Sequence, residues 1–219
     1  MALNIEAKEA YARGLKAKKA QAWQKAEVLF LSASKLEPTW TKPLEAVIRL
    51  RLDGHLNSAP LKVELRRFAA LLPKSYKVWL FKGRAAHQSG QHSEALKAYT
   101  KVLEIRPRTL SAMLHRADIY LHLGKPSQAL ADYEQVLSLR KSHIEARWGK
   151  LLALVQLEEW LKAHEIGNEL AAQDPDNIAL WNLRNLASRF SGLPPPPPKT
   201  QPKRDFRRLP PSDDAVSPQ

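Results

Sequence analysis

The sequence predicts an all-α protein built from repeated pairs of short helices. Three observations carry this. Apolar residues recur at helical spacing through residues 1–192. The alternation of apolar and polar residues that marks a half-buried strand is absent. A set of small, aromatic and proline residues returns at an interval of 34 residues.

The helical spacing is plainest in Ser93–Ile105. There Ala95, Leu96, Ala98, Tyr99, Val102, Leu103 and Ile105 form an i, i+3, i+4, i+7 stripe. The repeat appears when Trp79, Gly83, Gly90, Ala95, Tyr99 and Pro107 are moved along by 34 residues. They fall on Met113, Ala117, Gly124, Ala129, Tyr133 and Lys141, then on Arg147, Leu151, Glu158, Ala163, Gly167 and Pro175. Towards the N-terminus, Ala10, Gly14, Ala26, Phe30, Ala33 and Pro38 keep the same order.

These residues resemble the tetratricopeptide repeat family, whose period is 34 residues. The resemblance implies a right-handed α-solenoid of about five helix-turn-helix repeats, at 7–40, 41–75, 76–109, 110–143 and 144–177, with a closing helix at 178–191. It covers residues 7–191 and is most specific in repeats three and four. A small first-helix residue (Gly14, Gly83, Ala117) lets the second helix come close at Ala26, Ala95 or Ala129. An aromatic (Phe30, Tyr99, Tyr133) fills the space towards the next repeat. Gly90 and Gly124 permit the turn, because glycine tolerates positive φ. Pro38, Pro73, Pro107 and Pro175 end the second helices. Repeat two departs from the pattern, with an extended turn around Gly54–Pro60. Repeat five departs as well, with Leu151 at the small position and Gly167 in place of the aromatic.

The repeat domain is thus expected over 1–192 and a proline-rich basic tail over 193–219. The tail lacks apolar residues to bury and is expected to stay extended or disordered. Leu193 and the five prolines after it favour polyproline II, and Pro194, Pro197 and Lys199 give the frame that polyproline-reading domains recognise. A semi-rigid linker is the other reading. The cluster Lys203-Arg204-Asp205-Phe206-Arg207-Arg208 suits an anionic surface.

Composition and motifs exclude most chemistry. With no cysteine, disulfides, thiolate zinc sites and cysteine nucleophiles are ruled out, and a reducing, cytoplasmic location is expected. No apolar run approaches the roughly 20 residues of a membrane span. The N-terminal stretch lacks the apolar core of a signal peptide and carries Glu6 and Glu9, so it is expected to be mature helix. His164-Glu165-Ile166-Gly167-Asn168 begins like a zincin helix but ends in Asn, leaving the second metal ligand missing. The seven histidines are scattered along the chain and are expected to be solvated. No phosphate loop or nucleophile elbow is present. The sequence therefore implies no enzyme, no cofactor and no metal.

In the tetratricopeptide family, fixed first-helix positions line a concave groove. Carried onto this sequence, those positions include Lys8, Tyr11, Lys18, Lys42, Arg49, Lys77, Arg84, His87, Asp118, His122 and Trp148, with Asn182 and Arg189 on the closing helix. The same positions hold Glu45, Asp53 and Glu145 and the apolar Leu114, Leu121 and Leu152. The N-terminal half of the groove reads as basic and the C-terminal half as apolar. Trp79 is expected in the core and Trp148 in the groove. The carboxylate clamp of chaperone-binding members does not fit, since Tyr11, Leu15, Leu80 and Arg84 stand at its positions. The implied function is an adaptor that binds a protein or peptide of acidic character. Nucleic acid is the alternative partner, because the net charge of +13 would supply phosphate contacts.

Overall fold

The computed structural model describes residues 3–55, 61–174 and 176–194. Among these it contains eleven α-helices and no strand. In chain order they are α1 (Ile5–Lys19), α2 (Trp23–Leu36), α3 (Thr41–Leu52), α4 (Lys62–Leu71), α5 (Tyr76–Gln88), α6 (His92–Ile105), α7 (Leu110–His122), α8 (Pro126–Leu139), α9 (Ile144–Gln156), α10 (Trp160–Ala171) and α11 (Ile178–Ser191). The chain divides into two compact units between Glu158 and Glu159. The first holds α1–α9 and the second α10 and α11. The expectations for residues 56–60 of the extended turn, for Pro175 and for the tail beyond Pro194 lie outside the described residues.

Helix limits follow from local chemistry. Asn4 caps α1, its side chain accepting from the backbone N–H of Glu6 and Ala7. Ser75 and Asn177 do the same for α5 and α11. Pro38, Pro73 and Pro107 each stand two residues past the end of α2, α4 and α6, and Pro126 opens α8. The turn after a first helix needs one left-handed residue. Gly90 (φ 70°) and Gly124 (φ 65°) supply it after α5 and α7, whereas Gln21 (φ 57°) and Glu158 (φ 59°) take the same conformation without glycine's freedom. In the second pair, residues 53–61 join α3 to α4, against only 89–91 between α5 and α6. α4 is correspondingly short, 10 residues against 14 for α2, α6 and α8.

In the first unit each helix packs against its chain neighbours, and α3, α5, α7 and α9 are also neighbours in that order. One cluster joins Leu44, Ile48 and Leu52 of α3 to Phe68 of α4 and to Val78 and Phe81 of α5. Another joins Met113 and Ala117 of α7 to Ala129, Tyr133 and Val136 of α8 and Ala146 of α9. The aromatics explain where glycine is needed. A Cβ on Gly14 would stand 2.6 Å from the Phe30 ring, and one on Gly83 would stand 2.8 Å from Tyr99. These small residues thus seat the ring of their own helix pair. Tyr133, in one cluster with Ala117 of its own pair, also lies against Gly149 of the following pair, whose missing Cβ leaves room for the ring. Trp79 is half-buried at the core's edge, with the Lys82 ammonium 4.9 Å from its ring centroid, because its indole spans the boundary between core and water.

Two buried ionic contacts tie the helices of the first unit. Arg116 on α7 makes a bidentate pair with Asp132 on α8, at 2.8 and 2.7 Å, and the Asp132 carboxylate is almost wholly buried. Arg51 on α3 bridges Glu27 of α2 and Glu64 of α4. In the second unit Trp160 stacks on Phe190, Arg184 covers Gly167 and donates to Asn168, and His164 meets Ser188 at 3.0 Å.

Candidate functional site

The first helices of the pairs place the site. On α7, Ser111, Leu114, His115, Asp118, Leu121 and His122 recur every three or four residues and so share one face. On α9, Glu145, Trp148, Gly149 and Leu152 do the same. The two faces meet, with His87 of α5 at one side, around a cleft of about 670 Å³. Leu114, Leu121, Ile144, Trp148 and Leu152 give it an apolar floor; His87, His115, Asp118, His122 and Glu145 give it a polar rim.

The rim is ordered by hydrogen bonds. The Tyr133 hydroxyl donates to Asp118 Oδ1 at 2.6 Å, fixing the carboxylate from below. Together with burial, that bond pushes the Tyr133 phenol above its ordinary value. His122 Nδ1 lies 2.7 Å from the Asp118 carbonyl oxygen, which can only accept. In the neutral ring, Nδ1 therefore carries the proton and Nε2 is left as an acceptor.

Four of the seven histidines, His87, His92, His115 and His122, are gathered in space. His87 stands 5.9 Å from His92 and 6.3 Å from His115 between ring centroids, and His92 stands 6.4 Å from His122. The fold gathers them from α5, α6 and α7, which sequence distance conceals. Burial lowers the pKa of both His87 and His115; Asp118 opposes this, while neighbouring imidazoles add to it, and Arg84 adds to it at His115. Among the described residues, no group of histidines and carboxylates has a geometry that could hold a metal ion.

The basic half of the predicted groove is partly neutralised from within. Lys77 and Arg49 both reach Glu45, at 2.8 and 2.9 Å. Burial would raise the Glu45 carboxyl, but these two bonds outweigh it and hold its pKa below the ordinary value. Arg84 pairs with Asp53 at 2.8 Å and donates to the Leu52 carbonyl. Lys8, Lys18, Lys19 and Lys42 have no ion pair among the described residues, so the uncommitted cations lie on α1 and the start of α3. Tyr11 packs against Phe30 and edge-on to Trp40. Of the sequence-predicted residues, His87, Asp118, His122 and Trp148 come together in the cleft; Arg49 and Lys77 meet on Glu45. Asn182 and Arg189 are exposed on α11 of the second unit. Sequence reasoning missed His115 and Ile144. The signal for His115 was present, since it stands three residues before Asp118 on the same helical face.

Two family models, both described as tetratricopeptide repeat, match residues 77–142 and 111–178. The chain is 30% identical over 77 residues to human Superkiller complex protein 3, which covers 35% of this chain and 5% of that protein. It is 25% identical over 158 residues to Tetratricopeptide repeat protein 37 of Xenopus laevis, which covers 66% of this chain and 10% of that protein. The matches thus span only a small part of the length of these relatives. Among solved structures, a tetratricopeptide repeat protein from Parabacteroides merdae aligns over 86% of this chain and 75% of its own, at TM-score 0.66 and 17% identity. Pseudomonas aeruginosa pilF aligns over 85% of each chain at TM-score 0.70 and 15% identity, a likeness of fold alone.

Proposed function

This chain belongs to the tetratricopeptide repeat family, and we propose that it works as a non-enzymatic adaptor that holds a segment of a partner protein along the first-helix face of its first unit. The cleft between α7 and α9 is the observation that carries this. It sets apolar side chains open to solvent on a preorganised helical scaffold, with Leu114 and Leu121 half-buried against the core beneath it. Leu152 is 40% exposed there and Ile144 is 56% exposed. Lys8, Lys18 and Lys42 would meet acidic residues of the same segment at the other end, with Arg49, Lys77 and Arg84 adding polar contacts around Glu45 and Asp53. The relatives support the reading, since the human one is named as part of a complex. Asn182 and Arg189, exposed on α11 of the second unit, would offer polar contacts of their own, and the tail would attach a polyproline-reading domain or act as a linker. The site of action would be cytoplasmic. No described helix is long and apolar enough to cross a membrane.

A photo-crosslinking amino acid placed at Leu152 in the full chain tests the reading, with the same group at Val28 as control. Val28 is 65% exposed on α2 and lies outside the proposed groove. Crosslinks to discrete proteins from Leu152 but not Val28, surviving nuclease, are expected. Crosslinks to RNA from Leu152, lost on nuclease treatment, would instead favour the nucleic-acid reading that the +13 net charge raises.

A further inference from the structure

We propose that the cleft between α5, α7 and α9 takes a bulky apolar side chain flanked by a lysine or arginine of the partner segment. This rests on the groove reading and says what one end of that groove recognises. At about 670 Å³, the cleft is large enough for an aromatic ring, and Leu114, Trp148 and Leu152 would cover its faces.

The charge of the rim selects the neighbouring residues. The titratable and charged groups that line the cleft are His87 of α5, His115, Asp118 and His122 of α7, Tyr133 of α8 and Glu145 of α9, and Arg84 of α5 and His92 at the start of α6 stand close enough to act on its imidazoles. The Arg84 charge is balanced by Asp53. Burial keeps His87 and His115 neutral at neutral pH. What remains is the pair of carboxylates, Asp118 and Glu145, and Glu145 is exposed with no ion pair among the described residues. The rim is thus locally acidic on a chain whose net charge is +13. A cation beside the buried apolar group would be attracted there, and an acidic residue repelled. The lysines of α1 and α3 have the opposite sign, so the groove would fix which way the segment runs. On acidification below their lowered pKa values, His87 and His115 would charge beside Asp118, offset the carboxylates and release the cation.

Fluorescence anisotropy with the full chain and three labelled peptides tests this. Their centres are arginine–phenylalanine–arginine, glutamate–phenylalanine–glutamate and arginine–alanine–arginine. At neutral pH the first is expected to bind about tenfold or more tighter than either other. Glu145→Lys should weaken it by roughly three- to tenfold with an unchanged melting temperature, and mildly acidic buffer should weaken it in the wild type. The proposal is overturned if the glutamate peptide binds as tightly as the arginine one, or if Glu145→Lys leaves binding unchanged. Failure of all three peptides to bind overturns it too. The broader groove reading would still stand on crosslinks from Leu152, so the two failures are distinguishable.

Discussion

Gly149→Ala adds one methyl group at the point where two helix pairs lock together. The new Cβ would overlap the Tyr133 ring, standing 2.7 Å from Cε2 and closer still to Cζ and Cε1. Tyr133 is 1% exposed and its ring is closed in by Ala129, Val136 and Ala146, so it cannot swing aside freely. Overpacking of this kind costs about 1–3 kcal/mol. If the ring shifts, the 2.6 Å bond to Asp118 lengthens, and a hydrogen bond to a charged acceptor contributes about 1.5–3 kcal/mol. Against this, alanine gains about 1 kcal/mol of helix propensity over glycine. The balance is a loss of about 1.5–5 kcal/mol. Urea unfolding followed by circular dichroism measures it. Tyr133→Leu, which removes the ring, should take away most of the penalty of Gly149→Ala in the double variant. A Gly149→Ala protein as stable as wild type would mean that the ring gives way without cost, and an undiminished penalty in the Tyr133→Leu background would mean that the ring is not its source.

Four further outcomes are expected. Arg116→Met strands the Asp132 carboxylate, 3% exposed, and should cost about 3–5 kcal/mol in urea unfolding. Glu45 has a folded pKa below its ordinary value of 4.5, so the stability it adds is present above that pH and lost as pH falls through the folded value. Glu45→Gln should remove this acid-dependent component, seen by comparing melting curves at neutral and acid pH. His87 and His115 have folded pKa values below the ordinary 6.5, so the unfolded chain takes up their protons first and stability should fall as pH drops below about 6.5; the double variant to glutamine should show a shallower fall. Gln21→Gly relieves a left-handed residue and should raise stability by about 0.5–1 kcal/mol, read as a higher melting temperature.

The architecture was legible because its causes are local and periodic. The 34-residue return of Gly83 and Ala117, Gly90 and Gly124, and Tyr99 and Tyr133 marks contacts and turns that each pair makes in the same way. The left-handed turns at Gln21 and Glu158 were not legible, since neither residue type announces positive φ. Gly149 escaped notice for a different reason. It stands two residues before the small position of its own repeat, where Leu151 sits, and serves the ring of the preceding pair. The candidate site was half visible. Helical spacing places His87, Asp118, His122 and Trp148 on inward faces, and the fold joins them. Charge was misleading when counted residue by residue. Arg49, Lys77 and Arg84 read as free groove cations, yet Arg49 is held by Glu45 one turn back, and Lys77 and Arg84 of α5 by Glu45 of α3 and Asp53 just past it. Pairing of that kind depends on side-chain reach across α3 and α5, which periodicity does not report.

The claim that the first-helix face carries the binding function is tested most directly by hydrogen–deuterium exchange on the full chain, alone and with its crosslink-identified partner. Slowed exchange is expected in α7 and α9, centred on Ser111–Leu121 and Ile144–Leu152, with α6 and α8 changed little. Protection confined to α2, α6 and α8, or to the second unit, would contradict it.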